Sequence, residues 1–399
     1  MKRLILIIIS CFVLQFSAAQ YDGYSSNSWE NQLEIEDLFL KHIDKTSFKK
    51  HLQKLTERPH VVGSKTNEEV IRYIGEVMNE AGLDVINYPY DVYLPKHPGS
   101  SLIEIVTPSR QVLNQKEDII SDDPFTKDSL LWKGWNAFSG SGDVTAEIVY
   151  VNYGRKEDFE TLKELGVDIK GKIVIARYGG NFRGYKAKFA EANGAAGLII
   201  YTDPKDSGFT RGLVYPEGPY YNESTIQRGS LLTTDFTGDP LTPFEPALPL
   251  DGKKKIKRLD PKEAQLHTIP VTPIGYGEAE KILGQMKGVV VPQSWQGGLP
   301  FTYRLEGGAS LTVRLKVDQK IDFVRATNVI GTLKGSEAPN EWIILGCHLD
   351  SWGFGATDPS SGTAMLLSLS QTLGKLKADG FAPKRSILIG HWDAEEHGV

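Results

Sequence analysis

The sequence predicts an α/β fold: a mixed sheet interrupted by a long, mostly β segment. Two apolar runs, Trp342, Ile343, Ile344, Leu345 and Ile387, Leu388, Ile389, are short, continuous and bounded by polar residues. That is the pattern of strands buried on both faces. From about residue 100 to 322 the character changes, with short apolar runs between turn residues and few long helical periods. Helical periods flank this stretch on both sides, which places helices against the sheet.

The elements follow in order. Lys2 and Arg3, the apolar run 4–14 and the small residues Ser17, Ala18 and Ala19 read as a cleavable export signal over 1–19. They predict an exported protein, periplasmic or extracellular. Residues 20–46 read as a polar, flexible lead-in. Ser47 is placed as the cap of a helix carrying Phe48, Leu52 and Leu55 on one face, stopped by Pro59. Thr66 and Glu69 read as a capping box, opening a helix that buries Val70, Ile74, Val77 and Met78 and ends at Gly82. Strands are expected at 85–94 and 102–106. In the middle of the chain, strands at 145–151, 172–177 and 198–201 alternate with helices at 157–165 and 185–193. Ser360 and Ser361 are expected to cap a helix over 362–373 that is apolar nearly all round and therefore buried.

Composition sets the outer bounds. The 399 residues suffice for two domains and a large core, and the 40% hydrophobic and 24% charged content is that of a globular protein. A formal charge of -5 argues against a nucleic-acid partner. Of the two cysteines, Cys11 leaves with the signal and Cys347 remains alone, so no internal disulfide is expected. Cys347 reads as a small apolar filler.

The chemistry concentrates where the two apolar runs end. The first delivers His348 and Asp350, followed by a Gly-rich loop with Asp358; the second leads into Asp393, Glu395 and Glu396. Sites in open α/β sheets form at the carboxyl ends of strands. Carboxylates with an imidazole suit zinc, and a carboxylate can bridge two metals. Strand alternation puts His348 and Asp350 on one side, which lets Asp350 orient the imidazole. Adjacent Glu395 and Glu396 can divide two tasks, one as ligand and one as general base.

The segments GCHLDSWGFGATDPSSG (346–362) and WDAEE (392–396) resemble the zinc peptidase family of glutamate carboxypeptidase II and the transferrin receptor. The resemblance runs from about residue 47 to the last. It implies a zinc exopeptidase domain, in parts 47–100 and 323–399, split by a protease-associated (apical) insert over 101–322. It further implies two Zn2+, with His348 on one, Glu396 on the other, Asp358 bridging and Glu395 as general acid/base. In the insert, Arg183 matches an arginine that contacts the substrate's C-terminal carboxylate region. Ser230 stands where the carboxypeptidase has Asn, so glutamate specificity does not carry over. Asp239 and Thr242 match a segment that helps hold a structural Ca2+. The family's remaining zinc ligands and its dimerisation domain lie downstream of the position of Val399. The resemblance therefore implies a peptide-cleaving carboxypeptidase or aminopeptidase, homodimeric through a further domain, of which this chain alone is inactive. Its counterpart reading is a non-enzymatic binding protein of transferrin-receptor type, or an inactive fragment.

Overall fold

The computed structural model describes residues 26–399. The export signal at 1–19, with Cys11, lies outside the described residues. Three helices open the fold: α1 (Ser26–His42), α2 (Lys45–Leu55) and α3 (Lys65–Glu80), followed by strands β1 (Asp84–Leu94), β2 (Ser100–Thr107) and β3 (Gln111–Val112). Then come β4 (Asn136–Ala137), β5 (Gly142–Tyr150), α4 (Lys156–Glu164), β6 (Ile173–Arg177), α5 (Arg183–Ala192), β7 (Gly197–Tyr201), α6 (Pro204–Ser207) and β8 (Gly229–Ser230). The rest is β9 (Val271–Ile274), α7 (Tyr276–Leu283), β10 (Thr312–Asp318), β11 (Asp322–Leu333), β12 (Ala338–His348), α8 (Ser360–Ala378) and β13 (Arg385–Trp392).

Two main sheets result. The first has the order β1-β11-β13-β12; its β12 and β13 run parallel and its other pairs antiparallel. The second, of seven strands, has the order β3-β2-β10-β5-β6-β7-β9 and is parallel from β5 to β9. Strands β6 and β7, apolar but for Arg177 at the end of β6, are buried along their whole length, because α4 and α5 lie among the residues of the same core. The short β4 and β8 form a third, parallel pair. The first sheet thus begins before the second, and β10 leads back into it at β11, so one α/β unit is interrupted by another that is rich in strands.

The first sheet packs against α2, α3 and α8 through Leu55, Ile74, Met78, Val329, Leu367 and Ile389. The segment read as a flexible lead-in is helical from Ser26, and Leu38 and Phe39 of α1 rest against this core. Three caps differ from expectation. Asp44, not Ser47, accepts the first free N–H of α2, and Ser64, not Thr66, caps α3 by accepting from the Asn67 N–H at 3.1 Å. Thr66 instead donates to the Pro59 carbonyl. Helix α8 starts at Ser360 without a side-chain cap and runs on to Ala378.

One expectation of burial fails. Strand β13 is central and buried, but β12 is an edge strand, paired only with β13. Trp342, Ile343, Ile344 and Leu345 are 63%, 48%, 54% and 38% exposed. The apolar run specifies a strand, but its burial depends on a neighbour that is absent among the described residues.

Candidate active site at the carboxyl ends of β12 and β13

Strands β12 and β13 end side by side, with His348 paired in register to Trp392 and the Leu349 N–H bonded to the Trp392 carbonyl at 2.7 Å. Beyond β13 the chain is pinned by Asp393. This buried carboxylate accepts from the Thr327 N–H at 2.9 Å, Asn67 Nδ2 at 3.1 Å and the Ala394 N–H at 3.1 Å. Ala394 then takes a left-handed backbone, φ 69°, uncommon for a residue with a Cβ. The turn aims two successive N–H groups at Asp350: Glu395 donates to Oδ1 at 3.1 Å and Glu396 to Oδ2 at 3.3 Å. Asp350 is 1% exposed, so it acts as the buried post around which the 395–397 turn is built.

His348 stands beside this post. Its Nε2 meets Asp358 Oδ1 at 2.8 Å; its Nδ1 lies 3.1 Å from the Asp350 carbonyl, 3.5 Å from Asp350 Oδ1 and 3.7 Å from Glu395 Oε2. Burial opposes charge on the ring. The carboxylates of Asp350, Glu395 and Asp358 outweigh it and raise the imidazole to about 9, so it is protonated at neutral pH and donates from both nitrogens. Burial pushes the Glu396 carboxyl up to about 8, reinforced by the negative charges of Asp350 and Asp358. Glu395, by contrast, has a side chain 59% exposed.

This geometry corrects the expected cofactors. Among the described residues, no group of three or more His, Cys, Asp or Glu is arranged to hold a metal ion. Asp358 reaches the imidazole at Nε2 while Asp350 and Glu395 reach it at Nδ1, on the other side of the ring. The two expected Zn2+ thus have no supporting cluster among the described residues. The Ca2+ segment is occupied, since Asp239 accepts from the Tyr93 N–H at 2.6 Å and from the Thr242 hydroxyl.

The insert reaches this turn through β8. The Ser230 hydroxyl donates to the His397 carbonyl at 2.9 Å and accepts from the Leu232 N–H at 3.0 Å, which makes Ser230 a strut between insert and site. Arg183, at the start of α5, lies over this strut with Nη1 3.5 Å from the Ser230 carbonyl. Its Nε is buried without a partner, and no carboxylate among the described residues pairs with it. Gly229 has φ +149°, and a Cβ there would sit 2.2 Å from Arg183 Cζ, so only glycine leaves room for the guanidinium.

Sequence reasoning did not find His397 as a keystone. It is fully buried, donates from Nε2 to the Pro95 carbonyl (2.9 Å), and packs on Trp352 with ring centroids 4.6 Å apart and on Trp135 at 6.0 Å. The adjacency of His397 to the Glu-Glu pair was the only available signal. His60 is buried too and ties the loop after β12, its N–H bonded to the Gly353 carbonyl and its carbonyl to the Ser351 N–H. His391, inside β13, has no partner on either ring nitrogen, and burial pushes it down to about 3, so it is neutral.

The Glu396 carboxyl gives a pH signature. Its folded value, about 8, lies above the ordinary 4.5, so the stability it contributes is complete below pH 4.5 and is lost as pH rises through about 8. Glu396→Gln, which imitates the protonated acid, is expected to match the parent in thermal midpoint at pH 5 and to exceed it at pH 8.5. Parallel melting curves at the two pH values check this; a constant difference at both would show that Glu396 titrates normally.

Comparison with known proteins agrees with this architecture. Residues 328–399 match Peptidase family M28 and residues 144–234 match the PA domain, the latter within the seven-stranded unit. The chain is 35% identical to a glutamate carboxypeptidase 2 homolog of Caenorhabditis briggsae, over 96% of this chain and 51% of that protein. It is 33% identical to the aminopeptidase NAALADL1 of Rattus norvegicus, over 98% of this chain and 54% of that one. The chain thus spans about half the length of these relatives. Among solved structures, a peptidase M28 precursor from Shewanella amazonensis superposes with a TM-score of 0.55 at 18% identity, over 92% of this chain and 68% of that one. An aminopeptidase from Aneurinibacillus sp. strain AM-1 gives 0.51 at 20%, over 90% and 65%. At such identities the two structures speak for the fold alone. The two matched segments, in the chain order that the two sheets display, place this protein in the M28 peptidase/PA-domain superfamily that includes glutamate carboxypeptidase II-like proteins.

Proposed function

We propose that this exported chain recognises the terminal carboxylate of a peptide and presents a general base to it, as part of an exopeptidase of glutamate carboxypeptidase type. Arg183 receives the carboxylate. Glu395, exposed and held by its own N–H on Asp350, takes the proton from the attacking water and returns it to the leaving amine. Glu396, kept protonated by burial, lowers the negative charge beside it. The basic, apolar and small residues of 1–19 support export. The described residues supply no metal cluster, and we propose that by themselves they bind peptide without turning it over at an enzymatic rate.

The observation that carries this reading is the buried, unpartnered Nε of Arg183, one strut away from the 395–397 turn. An arginine–carboxylate contact contributes roughly 1.5–3 kcal/mol, about tenfold or more in affinity. Titration calorimetry of the full chain with an N-acetylated dipeptide is therefore expected to show at least that preference for the free acid over its amide. Arg183→Ala should abolish the preference, and so should Gly229→Ala, which displaces the guanidinium without deleting it. Equal affinity for acid and amide in the parent chain would defeat the proposal.

A further inference from the structure

A cavity of about 420 Å³ opens next to the site, on the insert side. Its walls come from the insert around residues 117–131 and 215–228 and from Gly353 and Phe354 of the loop between β12 and Asp358. The loop after His348 is thus shared between the site and the cavity. The volume suits one long side chain together with its backbone.

Three features define its chemistry. The walls are aromatic: Phe125, Tyr215, Tyr220 and Phe354 line it, with the Phe125 and Phe354 rings edge to face at 5.7 Å. The rim is acidic. Arg228 and Glu117 neutralise each other through a two-pronged pair, Nη1 to Oε1 at 3.2 Å and Nη2 to Oε2 at 2.8 Å. Asp118 and Asp123 are left with no cationic partner among the described residues; Asp123 accepts only neutral donors, the Tyr215 hydroxyl and the Phe125 N–H. Finally, one of the lining residues carries an unanswered donor. The Arg228 side chain is 8% exposed, yet its Nε has no acceptor.

Aromatic faces with two free carboxylates select a cation, which gains from the ring faces and from the charges together. The buried Nε–H asks in addition for a carbonyl oxygen. A free amine offers the first and not the second, whereas a basic amino-acid residue within a peptide offers both. We propose that this cavity receives a lysine or arginine side chain of the bound peptide, with its cation between Asp118 and Asp123 and a backbone carbonyl on Arg228 Nε. The inference rests on the reading of the chain as a peptide binder and adds a preference for basic residues to it.

The test uses the full chain and probes blocked at both ends, so that Arg183 plays no part. Titration calorimetry is expected to show N-acetyl-arginine methylamide binding about tenfold more tightly than the uncharged N-acetyl-citrulline methylamide. The double substitution Asp118→Asn, Asp123→Asn keeps the cap that Asp123 forms and should bring the arginine probe down to the citrulline level. Arg183→Ala should leave the preference intact, which separates this result from the recognition of the terminal carboxylate. Methylguanidine, a cation without a carbonyl, should bind more weakly than the arginine probe. Equal binding of arginine and citrulline probes would overturn the proposal, as would a preference that survives the double substitution or methylguanidine binding as tightly as the peptide probe.

Discussion

Lys186→Met is expected to destabilise the protein by about 3–5 kcal/mol. Lys186 is fully buried in α5. Its Nζ donates to the Tyr153 carbonyl at 2.5 Å, the Gly179 carbonyl at 2.7 Å and Asn181 Oδ1 at 2.7 Å. Three acceptors match the three N–H bonds of the protonated amine, which is why a lysine is tolerated there although burial lowers it to about 7. Its stem lies over Gly154, where an added Cβ would come within 3.3 Å of Lys186 Cβ, and a methionine stem can follow the same path. The loss therefore comes from the three acceptors left without a donor and not from a cavity. Because the acceptors belong to the loops after β5 and after β6, the destabilisation should also loosen the start of α5, where Arg183 sits. Urea unfolding of the parent and variant measures it; a difference below about 1 kcal/mol would show that water replaces the ammonium at no great penalty.

Asp350→Ala is expected to cost about 2–4 kcal/mol, since it strands the N–H groups of Glu395 and Glu396 and removes a carboxylate next to a protonated His348. Asp350→Asn keeps one acceptor oxygen and should lose about half as much. Both can be read by urea unfolding, and the 395–397 turn can be followed by amide hydrogen exchange. The His397 ring is seated on Trp352 and Trp135, so release of the turn should also change tryptophan fluorescence. Alanine and asparagine variants of equal stability would remove Asp350 from its place as the post of the turn.

Much of the fold follows from local pattern. The runs Ile173–Arg177 and Gly197–Tyr201 are buried at every position, and a strand of that kind is stable only between two covering layers, which α4 and α5 help supply. The periods of α3 and α8 place their apolar faces on the first sheet because residues three and four apart share one side of a helix. The location of the site was legible for a related reason. A run that must be a strand carries the next polar residues to its end, so His348, Asp350, Asp358, Glu395 and Glu396 arrive at one end of two neighbouring strands.

Orientation and neighbours were not legible. The same kind of apolar run is buried in β13 and exposed in β12, because position within the sheet, and not the run itself, decides how many sides are covered. Spacing brought His348 and its carboxylates together, but how many of these groups converge on one point depends on the distances between the two strand ends, and among the described residues no group of three or more is arranged to hold a metal ion. The left-handed turn at Ala394 has no glycine to announce it; it is held by Asp393 and Asp350, which follow β13 and β12 and are far apart in sequence. Ser230 likewise became a strut only once β8 was laid against the 395–397 turn. Sequence alone determined the elements, their order and the end of the sheet at which chemistry gathers, because these depend on periodicity along the chain. Burial of β12, the partners of each polar group and the contact between insert and site were decided by tertiary structure, because they depend on residues far apart in sequence meeting across a few ångströms.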